Sequence, residues 1–212
     1  MAQRSDAKHR MVEAAQQLIR ERGYHATAIS DVLERSQAPR GSVYFHFPGG
    51  KAQLTIEAAE AHAHQQVQHI DHAAERADSP AGLIEAYVDL ARDGMLASDY
   101  SRGCGVAPLI TEAAGVAADQ STGQSAKQAA DLAATGRRAF AAMIDRLAFH
   151  LVDLGLDPAP ARQLADAVIA AVEGALITSR ALRTPAPFDA IRNVLSTQAV
   201  TLTPKAPTRR SR

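Results

Sequence analysis

One cysteine, no tryptophan and a 4% share of aromatic residues are what a chain of 212 residues offers here. Cys104 alone excludes an internal disulfide and any all-cysteine zinc site, and it fits a reducing compartment. With few β-branched runs there is little from which to build a sheet. Ala, Leu and Arg recur at helical spacing instead, so the composition predicts an all-α protein. Long apolar runs are missing too. The longest, Ala165 to Thr178, is broken by Asp166 and Glu173 and is too short and too polar to span a bilayer. No basic segment followed by an apolar one opens the sequence, so no secretory signal is expected, and the expected location is cytoplasmic.

A net charge is likewise absent, with 23 Lys and Arg against 23 Asp and Glu, which at first argues against a nucleic-acid partner. The distribution reverses that argument. Residues 1 to 51 hold 8 basic side chains against 5 acidic ones, residues 52 to 204 hold 11 against 18, and residues 205 to 212 hold 4 against none. Two basic ends flank an acidic middle, and a local basic surface matters more to DNA than the total. What is present in quantity is apolar surface, 46% of residues, enough to bury a real core.

The periodicity predicts a first helix from about Asp6 to Glu21, with Ala7, Met11, Ala15 and Leu18 in one stripe and Val12 and Ile19 beside it, stopped by Gly23. Thr27 is the expected N-cap of a short helix through about Arg35, with Ile29, Val32 and Leu33 inward. Ser36, Gln37 and Ala38 form a turn, Pro39 suits the first position of a helix running to Phe47, and Pro48-Gly49-Gly50 ends it. Three such helices form a helix-turn-helix layout. A long helix follows from Lys51 to about Ala77, and Asp78-Ser79-Pro80 reads as stop, N-cap and first-turn proline of another ending near Leu96. After a loop from Ala97 to Gly105, a short helix toward Ala118, a polar stretch from Asp119 to Ser125, and helices over about Ala126 to Leu154, Ala159 to Arg183 and Pro187 to Thr203 complete the reading. The expected division is a DNA-binding head over 1–50, a helical body over 51–203 and a basic flexible tail over 204–212.

On a helical wheel, Val43 and Phe47 fall together toward the first two helices, and Gly41, Ser42, Phe45 and His46 fall opposite. That opposite face is a contact surface. Gly41 lets the backbone approach DNA, Ser42 can bond a phosphate or a base edge, and Phe45 can pack on a thymine methyl. Arg40 can reach guanine O6 and N7 with its planar fork. Tyr44, His46, Thr27 and Lys51 are placed for phosphates. The expected partner is duplex DNA.

Residues of about 6 to 56 resemble the N-terminal domain of the TetR family of bacterial regulators, through Gly23-Tyr24, Thr27, Ile29 to Leu33, Gly41-Ser42-Val43-Tyr44 and His46-Phe47. Phe47-Pro48-Gly49-Gly50-Lys51, together with Arg40, resembles its LmrA/YxaF-like branch, and Gly103-Cys104 before an apolar helix is similar to it as well. The resemblance implies a body of about nine helices in all with the head, a homodimer paired through two C-terminal helices, a palindromic operator, and a repressor released by a small hydrophobic effector. Two recognition helices of a two-fold dimer reach adjacent major grooves when about 34 to 36 Å apart.

The sequence agrees with pairing. The helix from Ala159 has Leu164, Val168, Ala171, Ala175 and Leu182 on one face and Ile169, Val172, Leu176 and Ile177 on another, so one face can serve the core and one a partner. The last helix adds Phe188, Ile191, Leu195 and Leu202, and these with the Leu164, Val168, Ala171, Ala175 and Leu182 face are the expected dimer interface. Burial of both stripes within one chain is the competing reading. Candidate effector-contacting residues are Tyr87, Met95, Leu109, Phe140, Met143, Ile144 and Leu147, for each of which core packing is the competing role. Glu173 is a polar candidate that needs a partner, with Arg137, Arg138 or Arg180 available.

His62, His64, His69 and His72 crowd the fourth helix, yet no third close histidine or paired carboxylate completes a metal site, and a solvated face is the expected role. Cys104 has one basic neighbour and reads as a packed thiol. No metal or other cofactor is predicted. A redox- or metal-responsive regulator using Cys104 or the His62/His69/His72 face is the alternative reading. A small helical enzyme is the distant one, since no nucleophile lies in an elbow or phosphate loop.

Overall fold

The computed structural model describes residues 2–112 and 123–204. Among them are nine helices: α1 (Ala2–Arg22), α2 (Ile29–Ser36), α3 (Ser42–His46), α4 (Gly50–Ala74), α5 (Pro80–Ala97), α6 (Ala107–Thr111), α7 (Gly123–Asp153), α8 (Pro158–Leu182) and α9 (Ala186–Leu202). The described residues contain no strand, and none of their helices is long and apolar enough to cross a membrane. The tail from Lys205, the extension of α6 toward Ala118 and the polar stretch up to residue 122 lie outside the described residues. Gly123 to Ser125, read as part of that stretch, already belong to α7.

Two compact units emerge from the backbone contacts, one of Met1–Val67 with Ser98–Ala142 and the other of Gln68–Ala97 with Met143–Arg212. Helices α4 and α7 each contribute to both.

In the first unit, Met11, Ala14, Ala15, Leu18 and Ile19 of α1 close with Val32, Val43, Phe47 and Leu54 into one apolar cluster, and Val12, Ile29 and Leu33 pack at its margin. The stripe read from α1 is the one buried. α2 ends on Gln37 in a left-handed conformation, whose N–H reaches the last turn of the helix. Helix α2 begins differently from the expectation: Ala28 holds the N-cap position, and no side chain caps it. The Thr27 hydroxyl instead donates 2.8 Å to the Gly23 carbonyl, which braces the turn after α1 and leaves no oxygen aimed along the α2 axis.

The second unit is built on α5, α8 and α9, which pack mutually. Ser79 caps α5 as its position before Pro80 predicts, accepting from Gly82 N–H at 3.2 Å. The interior takes Leu83, Ile84, Val88 and Met95 from α5, Leu164, Val168 and Val172 from α8, and Phe188 from α9.

Candidate nucleic-acid interface

Helix α3 is one and a half turns long, shorter than the nine residues expected. Pro39 does not open it. Pro39, Arg40 and Gly41 form a turn in which the Pro39 carbonyl accepts from the Ser42 N–H at 2.9 Å and from its hydroxyl at 2.6 Å. A proline there fixes the turn rather than the first helical position, because its carbonyl is needed to tie down the residue that starts the helix.

Val43 and Phe47, four residues apart, are both fully buried. They fix the rotation of α3, so Tyr44 and Phe45 stand out at 70% and 68% exposure. Arg40 and Gly41 are exposed beside them, while Ser42 and His46 are half-buried. The Phe45 and His46 rings meet edge to face at 5.0 Å. Phe47 is sealed from outside by Lys8, whose ammonium lies 5.6 Å from the ring centroid and pairs with Glu57 at 2.9 Å. Between α1 and α3 lies an open hollow of about 510 Å³ lined by Asp6, Ala7, Arg10, Pro39, Ser42, Phe45 and His46. Arg10 is held in it by Asp6 and donates 3.1 Å to the Ser36 carbonyl.

Arg40, Gly41, Tyr44 and Phe45 thus form one continuous exposed surface, with His46 at its edge. Ser42 lies in it, but its hydroxyl is engaged by Pro39. Thr27 is 4% exposed and sits inside the α1–α2 turn, with its N–H on the Tyr24 carbonyl and its hydroxyl on Gly23. Both polar groups are therefore committed to the turn. Lys51, second residue of α4, lies against that same turn: its ammonium is 4.5 Å from the Tyr24 ring centroid and donates 3.2 Å to the His25 carbonyl. Burial lowers its pKa, opposed by the negative charge of Glu112.

Residues placed in an effector site by the sequence fall in both units. Leu109 and Phe140 belong to the first, where Leu109 packs with Ala59 and Leu132 and Phe140 borders Ala63, Val106 and Ala139. Tyr87, Met95, Met143 and Leu147 are buried in the second, and Ile144 and Glu173 are half-buried there. The stripe assigned to a partner chain needs correction. Leu164, Val168, Ala175 and Phe188 are buried within this chain, and Ala171, Ile191, Leu195 and Leu202 are half-buried. Only Leu182 of that set is exposed. The outward apolar residues are Ile177 and Leu182 on α8 and Val194 and Val200 on α9, each about two-thirds exposed. Ile169 and Val172 of the other α8 stripe are buried as well, so both stripes turn largely inward, as the competing reading had it, and only their C-terminal members Ile177 and Leu182 stand out.

His62 is buried, not on a solvated face; its Nδ1 lies 3.2 Å from Gln16 Nε2 and its ring lies against Gly105. No group of three metal-ligating side chains occurs among the described residues. Cys104 Sγ accepts from Val106 N–H at 3.3 Å and Ala107 N–H at 3.4 Å. Two polar clusters escaped the sequence reading: Glu112 against the α1–α2 turn, and Asp71 with Arg146 and His150. Both join residues more than seventy positions apart, which no local pattern announces.

Residues 11–58 match the model of bacterial regulatory proteins of the tetR family. Residues 80–194 match the C-terminal domain of LmrA/YxaF-like transcriptional regulators. An uncharacterized HTH-type transcriptional regulator of Mycobacterium tuberculosis strain H37Rv is 36% identical over 188 residues, covering 89% of this chain and 91% of its own. The HTH-type transcriptional regulator LmrA of Bacillus subtilis is 37% identical over 83 residues, 39% of this chain and 44% of its own. The fold is shared with the regulatory protein TetR from Rhodobacter sphaeroides at a TM-score of 0.75 and 22% identity, covering 90% of this chain and 97% of that one. These proteins are transcriptional regulators and not enzymes, and the helix-turn-helix, the matched head and the matched body together place this chain in the TetR family, in its LmrA/YxaF-like branch, as a transcriptional regulator with a DNA-binding domain.

Proposed function

We propose that the protein is a repressor that binds a palindromic operator as a homodimer and is released by a small hydrophobic effector. The observation that carries the DNA half is the pair of exposed rings, Tyr44 and Phe45, on a helix whose rotation is locked by buried Val43 and Phe47. A free surface gains nothing from two adjacent aromatic rings, whereas a major groove offers them thymine methyls and phosphates. Arg40 reads base edges, Tyr44, His46 and Lys51 hold phosphates, and the head over 1–50 acts for the body over 51–203. A DNA partner also implies a cytoplasmic protein.

Dimerisation is supported by the apolar residues that α8 and α9 leave outside, Ile177, Leu182, Val194 and Val200, which give a two-fold partner an apolar face to cover. Effector release requires a ligand that favours one spacing of the two heads over another, since equal affinity for both would shift nothing. Buried Tyr87, Met95, Met143 and Leu147 supply an apolar lining for such a ligand, and Glu173 a polar contact.

The test is a gel shift of the intact protein on duplex from its own upstream region at stated salt. Specific binding should exceed non-specific binding by at least about a thousandfold. Arg40→Ala should relax preference at one base pair, whereas Lys51→Ala should weaken every sequence alike and lower the salt slope by about one contact. Equal loss on all operator variants for Arg40→Ala would remove it as a reader, and the absence of binding above non-specific affinity would overturn the reading as a whole.

A further inference from the structure

Glu112 stands immediately after α6, nearly ninety residues from the turn it contacts. One of its carboxylate oxygens accepts from Tyr24 N–H at 3.1 Å and the other from His25 N–H at 2.7 Å. Both oxygens of one side chain thus hold two consecutive amides of the α1–α2 turn, and charge-assisted bonds of this kind are stronger than neutral ones. Gly23 makes the approach possible. A Cβ at that position would lie 2.3 Å from Glu112 Oε1, and its φ of +86° is one that other residues rarely adopt.

The far side of the same turn is held by Lys51, through the His25 carbonyl and the face of the Tyr24 ring. His25 therefore has its N–H on α6's carboxylate and its carbonyl on the ammonium at the start of α4. The loop that leads into α6 and α6 itself are each held. Gly103 N–H donates to the Arg20 carbonyl and Arg20 Nε donates to the Gly103 carbonyl, each at 2.9 Å. On the other side Ile110 packs so closely on α7 that a Cβ at Gly136 would lie 2.5 Å from its Cδ1.

We propose that Glu112 is a positioning residue for DNA binding: from α6 it fixes the Tyr24–His25 turn, and through that turn it holds the Lys51 ammonium where a phosphate can use it. A lysine already seated loses less side-chain freedom when DNA arrives than one that must be ordered from solution. The inference rests on Lys51 as a phosphate contact and extends it to a residue outside the head. It gives the residue that follows α6 a direct hold on the turn that seats Lys51.

The test uses the full chain as wild type, Glu112→Ala, Glu112→Gln, Lys51→Ala and the double variant Glu112→Ala/Lys51→Ala. Without DNA, amide hydrogen exchange at Tyr24 and His25 should quicken about tenfold or more in Glu112→Ala, and less in Glu112→Gln, whose single carbonyl oxygen can serve one amide. With operator duplex, Glu112→Ala should weaken binding about tenfold and lower the salt slope by about one, and it should leave the slope of Lys51→Ala unchanged. Unaltered exchange at both amides overturns the proposal. So does an unchanged slope in Glu112→Ala, a raised slope, which would make Glu112 a competitor of phosphate, or an equal slope loss on the Lys51→Ala background. Wild-type protein that binds no duplex specifically overturns the proposed function instead, and the exchange result then judges the clasp alone. Should Glu112→Ala not fold, Glu112→Gln carries the same comparisons with smaller effects.

Discussion

The two compact units use polar side chains for different ends. In the first, four polar side chains reach across distant stretches to backbone, Arg10 to Ser36, Arg20 to Gly103, Lys51 to His25 and Glu112 to two amides, beside side-chain pairs such as Lys8–Glu57, Arg102–Glu21 and Gln16–His62. In the second, distant stretches are joined side chain to side chain: Arg192 to Glu85 and Asp89, Arg92 to Asp189, Arg162 to Asp145, and Arg146 and His150 to Asp71. A backbone contact fixes the path of the chain at a named residue. A half-exposed ion pair fixes little, because either partner can turn to water or to a neighbouring charge. The turn that seats Lys51 is held by contacts of the first kind, on the Tyr24 and His25 backbone.

Four substitutions can sharpen or break this contrast. Phe47→Ala should have the largest effect, about 3 to 5 kcal/mol in urea unfolding, and should abolish DNA binding, because α3 loses one of its two anchors. Phe188→Ala, equally buried in the second unit, should lose similar stability while leaving the helix-turn-helix intact. Gly23→Ala comes next, at about 1 to 3 kcal/mol, since it strains a left-handed residue and displaces Glu112. Combined with Glu112→Ala its loss should be less than additive, as measured by a double-mutant cycle. Arg192→Ala, which severs contacts to two carboxylates in the second unit, should lose no more than about 1 kcal/mol. A loss as large as that of Gly23→Ala would erase the proposed distinction between the units.

The smallest effect concerns pH. Burial of the Asp71 carboxyl tends to raise its pKa, but hydrogen bonds from Arg146 and His150 outweigh this and hold it below the ordinary aspartate value. A depressed folded pKa means that the contribution is fully present above the unfolded value and is lost as pH falls through the folded one. Stability should therefore drop below about pH 4, and Asp71→Asn should flatten that part of the profile. Identical acid limbs for the two proteins would show that the pair contributes nothing.

Much of the helical order was legible because it is written locally. The α1 stripe, Ser79 before Pro80, and the spacing of Val43 and Phe47 each declare an element or a face within a few residues. What was not legible depends on partners far along the chain. Thr27 looked like an N-cap because its residue type favours one, but Gly23 O captured its hydroxyl. Pro39 looked like a first helical residue because nothing in one dimension distinguishes that position from the start of a turn. Helix α8 carries two apolar stripes, and both are largely buried where α5 and α9 pack on it, which no spacing within the helix announces. Glu112 gave no signal at all except in retrospect, through a glycine at position 23 that leaves it room.

The shortness of α3 has a further consequence for how this regulator can be rebuilt. Its orientation is set by buried Val43 and Phe47 and by the Pro39 carbonyl that holds Ser42, so Arg40, Gly41, Tyr44 and Phe45 form a set of surface positions on a fixed mount. Substitution at those four positions can accordingly change the surface offered to DNA while the fold is carried over unaltered.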